Sequence, residues 1–314
     1  ESAAPAPGGS TRAPGRPLAG AQASFAAPAP HFTRGPPARY NGPMTVKRAA
    51  VLGRCMGVRR AVDLALETAA AEDGKPVYTL GPLIHNPQAV AELAAKGVTP
   101  LSEAELDGRV AGRAVVIRAH GVPPSARARL EELGARIVDA TCPRVLLSQR
   151  RARDFSERGY RVVIAGDRDH GEVTGIAGYA PGALVVGSPE EAEAVAGGGK
   201  LALIAQTTIK EEEYAAIREV LAKRFPLLEV VDSICPATEE RRRALAELAE
   251  GCDAIVVVGG RNSANTARLH GTALALGKPA WLVETAAELP AEVFFFARVG
   301  VTAGASTPDG LVAE

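Results

Sequence analysis

Aromatic side chains are scarce in this 314-residue chain: Phe, Tyr and Trp together make up 4% of it. A core of ordinary density must therefore be built from Val, Leu, Ile and Ala within the 46% hydrophobic content, which suits an α/β protein with buried parallel strands. Net charge is absent as well. Thirty-six Lys and Arg balance 36 Asp and Glu, so no global field argues for nucleic acid or an anionic membrane surface as a partner. No apolar run approaches the ~18 residues needed to span a bilayer. Cysteine is sparse too. Four in a chain of this length do not make a disulfide framework, and no Cys-x-x-Cys pair offers a structural zinc site. A reducing compartment such as the cytoplasm fits that usage.

Residues 1–43 stand apart, with nine prolines, four arginines and a single acidic residue, Glu1. Such a segment buries too little apolar surface to offset its ordering entropy and is expected to be disordered. Two accounts fit it: a plastid-type transit peptide, or an extension upstream of a start at Met44, the reading favoured here.

From Met44 onward the chain repeats itself. Val-Asp-x-x-Cys-Pro occurs at 138–143 and again at 231–236, each time after a short β-branched run, and Cys55 follows a third apolar run. Cys55 and Cys142 are 87 residues apart, and Cys142 and Cys235 are 93 apart, about one small domain each. At 28 to 30 residues past each cysteine stand His85, His170 and Ser263; at 65 to 71 stand His120, Thr207 and Ser306. Each ends or follows an apolar run. This is the signature of a triplicated unit, with one α/β domain at 44–142, a second at 143–234 and a third at 235–314. Strands are expected at 48–52, 77–80, 114–118, 136–138, 162–165, 201–205, 228–231, 254–258 and near 299–302, with helices between them. That order implies parallel sheets with right-handed crossovers, and polar residues at strand carboxyl ends are where such sheets bind ligands.

Three thiols ending strands in three related domains could converge on one axis. A [4Fe–4S] cluster normally takes four thiolates; with three, one iron stays free to bind a substrate oxygen as a Lewis acid. Inert, buried cysteines are the alternative, and Cys252, outside the repeat, is read that way. His85, His120, Ser263, Asn265 and Ser306 suit a phosphate-bearing ligand at helix N-termini, although Ser and Asn also cap helices routinely. Gly121, Gly260 and Gly304 are suited to close approach of backbone to a ligand. His170-Gly171-Glu172 sets an imidazole beside a carboxylate, a plausible proton-delivery pair.

Taken in order, the motifs resemble the LytB-type 4-hydroxy-3-methylbut-2-enyl diphosphate reductases from about Thr45 to the C-terminus. They are Cys-Met-Gly-Val-Arg-Arg-Ala-Val (55–62), Gly-Pro-Leu-Ile-His-Asn-Pro (81–87), Arg-Ala-His-Gly-Val (118–122), Asp-Ala-Thr-Cys-Pro (139–143) and His-Gly-Glu-Val (170–173). Gln-Thr-Thr (206–208), Asp-Ser-Ile-Cys-Pro-Ala-Thr (232–238), Asn-Ser-Ala-Asn (262–265) and Val-Thr-Ala-Gly-Ala-Ser-Thr-Pro-Asp (301–309) complete the set.

The resemblance implies a trefoil of three pseudo-threefold-related α/β domains around one [4Fe–4S] cluster held by Cys55, Cys142 and Cys235. It implies that His85, His120, Ser263, Asn265 and Ser306 hold the diphosphate. His170, Glu172 and Thr207 face the reacting end of the substrate, with Glu172 in the proton relay. It further implies two-electron reduction to isopentenyl and dimethylallyl diphosphate, with ferredoxin or flavodoxin as donor. The chain departs from the family pattern at Arg54, often aromatic there, and at Arg241-Arg242, where Arg-Gln is usual; its final helix is expected to be short. Two rivals are a quinolinate-synthase-like dehydratase, which also sets three cysteines in three related domains, and a non-enzymatic iron–sulfur sensor or degenerate binding protein. The His-x-Glu and Gln-Thr-Thr motifs argue against the first, and the full polar ring against the second.

Overall fold

The computed structural model describes Tyr40 and residues 42–314. The expectation for residues 1–43 falls almost wholly outside them. In chain order the first lobe runs β1 (Thr45–Arg48), α1 (Met56–Ala71), β2 (Val77–Leu80), α2 (Pro87–Ala95), β3 (Val98–Leu101), β4 (Ala114–Ile117), α3 (Pro124–Glu132) and β5 (Arg136–Asp139). The second runs α4 (Pro143–Glu157), β6 (Arg161–Ala165), α5 (Gly171–Ala177), β7 (Leu184–Val186), α6 (Pro189–Glu193), β8 (Leu201–Ala205), α7 (Glu211–Arg224) and β9 (Leu228–Val231). The third holds α8 (Pro236–Glu250), β10 (Ala254–Val258), α9 (Ala264–Ala275), β11 (Ala280–Val283), β12 (Arg298–Ala303) and α10 (Asp309–Ala313).

Three four-stranded sheets result, ordered β3-β2-β4-β5, β7-β6-β8-β9 and β11-β10-β12-β1, and every pairing in them is parallel. The three orders are the same order. The strand before Cys142 closes the first sheet, the strand before Cys235 closes the second, and the strand before Cys55 closes the third. This corrects the expected start of the first domain at residue 44, because β1 pairs with β12 rather than with its sequence neighbours. It also corrects the expected strand at 48–52. β1 is an exposed edge strand, while the apolar run after it, Val51-Leu52, packs into the third lobe's core without joining a ladder.

The inner strands are buried on both faces, as crossover helices require. In β4, Val115 and Ile117 go to the α3 side with Val122, Ala126 and Leu130. Ala114 and Val116 go to the opposite side with Ala61, Val62 and Ala65 of α1. Each such buried Val, Leu or Ile contributes about 1.5–3 kcal/mol. The other two lobes repeat the two-layer plan. Cys252 is 1% exposed and belongs to the third lobe's apolar core.

Candidate active site

Proline sets the thiols. It lacks an N–H and is preorganised for the first helical position, so Pro143 and Pro236 open α4 and α8 and leave Cys142 and Cys235 as N-caps. Cys55 is likewise the N-cap of α1, which opens on Met56 rather than on a proline. None of the three thiols makes a capping hydrogen bond, and all three are half-buried. Three helix N-termini thus bring partial positive charge to three thiols in one place, which favours thiolates.

Gly57 makes the convergence possible, since a Cβ there would stand 2.6 Å from Cys142 Sγ. Burial pushes the Cys142 thiol up, with the neighbouring Cys55 and Cys235 adding to the rise and the Arg144 and Val145 N–H groups opposing it. Beside them lies Arg241, 4% exposed. It donates from Nη2 to the Gly53 carbonyl at 2.7 Å and from Nη1 to the Ala237 carbonyl at 2.8 Å, tying the Cys55 and Cys235 loops together.

The thiols open on a cavity of about 100 Å³. Eight other side chains singled out in the sequence line it: His85, His120, His170, Glu172, Thr207, Ser263, Asn265 and Ser306. Their loops leave the carboxyl ends of the two inner strands of each sheet, β2 and β4, β6 and β8, β10 and β12.

One ring nitrogen from each of His85, His120 and His170 lies within 4.8 Å of those of the other two. His85 and His120 stack at 4.6 Å, and His170 meets His120 edge-on at 5.1 Å. Burial is the largest cause holding all three below the ordinary imidazole range, His170 at about 4. They are therefore neutral near pH 7. His170 Nδ1 accepts the Glu172 N–H at 3.2 Å, which places the ring proton on Nε2. Ser263 caps α9 and Ser306 donates to the His85 carbonyl at 3.2 Å, so capping and cavity lining coexist in these residues. His120 Nδ1 and Asn265 Nδ2 are buried with no hydrogen-bond partner in the protein, which is costly unless a ligand meets them.

Glu172 is 1% exposed. Its Oε1 accepts the Thr207 backbone N–H at 2.6 Å and its Oε2 accepts the Thr207 hydroxyl at 2.8 Å. Burial nevertheless pushes the carboxyl up to about 7, with the Thr207 bonds opposing the rise. A carboxyl held near neutrality and bonded to a hydroxyl on the cavity wall can give up a proton there.

The glycines behave differently from expectation. The free side of Gly121 faces the Gln149 side chain, that of Gly260 the His85 carbonyl, and that of Gly304 the Thr266 side chain. They pack loop against loop and leave the ligand to side chains. Three arginines were not placed at the site by the sequence reading: Arg241, Arg268 and Arg118. A single Arg is a surface residue by default, and only the fold shows what surrounds it.

The fold and site define a three-lobed α/β protein with three thiols meeting beside a neutral polar ring and a buried, proton-poised carboxyl. The chain belongs to the LytB protein family, whose sequence model matches residues 46–314. It is 49% identical over 282 residues to the 4-hydroxy-3-methylbut-2-enyl diphosphate reductase of Treponema denticola, covering 86% of this chain and 97% of that one. It is 44% identical over 271 residues to the enzyme of the same name from Anaeromyxobacter sp. strain K, covering 86% and 96%. The E-1-hydroxy-2-methyl-but-2-enyl-4-diphosphate reductase structure from Plasmodium falciparum superposes with a TM-score of 0.81 at 26% identity, covering 87% of this chain and 86% of that one. The structure of (E)-4-hydroxy-3-methyl-but-2-enyl diphosphate reductase, the terminal enzyme of the non-mevalonate pathway, superposes with a TM-score of 0.64 at 36% identity, covering 86% and 96%.

Proposed function

We propose that this protein is a 4-hydroxy-3-methylbut-2-enyl diphosphate reductase. The observation carrying the reading is that three thiols, a neutral polar ring and the Glu172–Thr207 pair line one cavity. Cys55, Cys142 and Cys235 would hold a [4Fe–4S] cluster, which supplies electrons one at a time and an iron without a protein ligand as a Lewis acid. The thiols fit it in donor type, in number and in the close approach that Gly57 permits.

His85, His120, Ser263, Asn265 and Ser306 would orient the diphosphate, with the unpartnered His120 Nδ1 and Asn265 Nδ2 gaining partners. The substrate's other end then lies toward the thiols, against His170, Glu172 and Thr207. Glu172 delivers a proton through the Thr207 hydroxyl, and the His170 Nε2–H holds the substrate hydroxyl. The C–O bond breaks, the hydroxyl leaves as water with one proton, and the allyl carbons take two electrons and a second proton. The products are isopentenyl and dimethylallyl diphosphate.

Ferredoxin or flavodoxin would supply the electrons, and the cytoplasm is the compartment proposed. No helix among the described residues is long and apolar enough to cross a membrane. Anaerobic purification with iron and sulfide assays, followed by turnover of the allylic diphosphate under a reductant, tests the proposal. Iron-loaded protein that binds the substrate without reducing it would sink it.

A further inference from the structure

Arg118 follows β4 directly and stands two residues before His120. Its Nε donates to the Gly121 carbonyl at 3.3 Å, and its two other nitrogens face bare glycines from different lobes. A Cβ at Gly81 would stand 2.8 Å from Nη1, and one at Gly171 would stand 2.8 Å from Nη2. Gly81 opens the loop that carries His85, while Gly171 lies between His170 and Glu172. The guanidinium is thus half-buried behind the histidines, in a space that any larger residue at either glycine would fill.

It has no ion pair among the described residues. The acidic group acting on it, Glu103, does so from beyond salt-bridge distance. Other basic groups lie elsewhere around the cavity. Arg241 and Arg144 line its thiol end without a carboxylate partner among the described residues, Arg241 bound to the Gly53 and Ala237 carbonyls and Arg144 directly after Cys142, while Arg268 is paired with Asp167.

The three imidazoles are close enough to suggest a metal site. An uncompensated guanidinium behind them repels a cation and attracts an anion. The rings themselves carry no charge at neutral pH, and Arg118 is one of the groups that keep all three from taking a proton. A diphosphate bound only by neutral donors would leave its charge unbalanced in a half-buried site.

We propose that Arg118 is a substrate-recognition residue. It is the fixed positive charge against which the diphosphate binds, acting from behind the histidine ring rather than as a cavity-lining ligand. This rests on the reductase reading above.

The test uses iron-loaded enzyme under a chemical reductant and compares wild type with Arg118→Gln and Arg118→Lys. KM, kcat and inhibition by inorganic pyrophosphate are measured for each. Removing the charge should raise KM and weaken pyrophosphate inhibition about tenfold to hundredfold. The kcat should stay within about threefold, since the charge is felt equally in the bound and reacting states. Arg118→Lys should recover most of the loss because it keeps the charge. Pyrophosphate inhibition of Arg118→Gln equal to wild type overturns the role of Arg118 alone. Wild-type enzyme that pyrophosphate does not inhibit overturns the diphosphate reading itself. Where Arg118→Gln fails to fold, Arg118→Lys carries the test, and a loss of pyrophosphate inhibition in it assigns Arg118 to packing.

Discussion

Arg268 of α9 holds Asp167, in the loop after β6, through both carboxylate oxygens, at 2.9 and 2.8 Å. The pair joins the third lobe to the second beside the cavity. Gln206, fully buried, accepts the Asp167 backbone N–H at 2.7 Å and donates to the Thr208 hydroxyl at 2.9 Å. Arg268 reaches that hydroxyl too, at 3.3 Å. The network therefore fixes the residues on either side of Thr207, the partner of Glu172. Its expected worth is modest because Asp167 is half exposed. A double-mutant cycle with Arg268→Ala and Asp167→Ala should give a coupling of about 0.5–1 kcal/mol in stability. Turnover in either variant should fall more than the stability loss explains; a purely additive cycle with full turnover would remove the pair from the site's support.

Glu172→Gln keeps size and some hydrogen bonding but removes the ionisable proton. Substrate binding, followed by titration of the cluster spectrum, should persist while turnover drops roughly 10²–10⁴-fold. Near-normal turnover would route the proton elsewhere.

The same carboxyl predicts a pH profile. Glu172 donates only while protonated, so kcat should fall above pH about 7, and that limb should vanish in Glu172→Gln. Stability follows the same sign. The folded carboxyl keeps its proton up to about 7, while the unfolded one loses it near 4.5, so stability should decline as pH rises across that window. His170 works in reverse: folded at about 4 and unfolded at 6.5, it should cost stability as pH falls between those values. Denaturant midpoints against pH for wild type, Glu172→Gln and His170→Asn would show both slopes.

Serine at Cys55, Cys142 or Cys235 should each abolish iron retention, measured after anaerobic reconstitution. Cys252→Ser should keep its iron and instead lose about 1–3 kcal/mol, because it buries a hydroxyl in an apolar core. Iron loss confined to Cys252→Ser would reverse the assignment.

Gly57→Ala adds a methyl against the Cys142 sulfur and leaves the chemistry of every ligand intact. Iron content should fall sharply while far-ultraviolet circular dichroism stays unchanged. Full iron loading would show that the thiols approach by another path.

The inner strands were legible because their apolar runs are buried on both faces, and the repeat located the polar loops after them. Three strands were not foreseen: β3, β7 and β11, the first edge strand of each sheet. They are short, partly exposed, and in β3 interrupted by Pro100, so they carry little periodic signal. The segment at 48–52 misled for another reason: its apolar residues suggest a strand, yet the ladder stops at Arg48 and only Ala49 within it is buried. The start of α5 was hard to read locally because the helix begins on a glycine, with His170 as its cap. At the site, residue type and offset exposed the cysteines and histidines, but nothing local marks an arginine that acts across lobes.

The pairing of β1 with β12 gives the molecule a clasp. Thr45 lies opposite Arg298, and Arg48 opposite Val301, so the first strand among the described residues completes a sheet whose other members are made last. Contacts of such sequence separation form slowly. During synthesis Cys55 is held by α1, which packs on the first sheet, but the strand before it has no partner until the third lobe emerges. The Cys55 loop therefore gains its backbone anchor at Ala305 only once the third lobe is made.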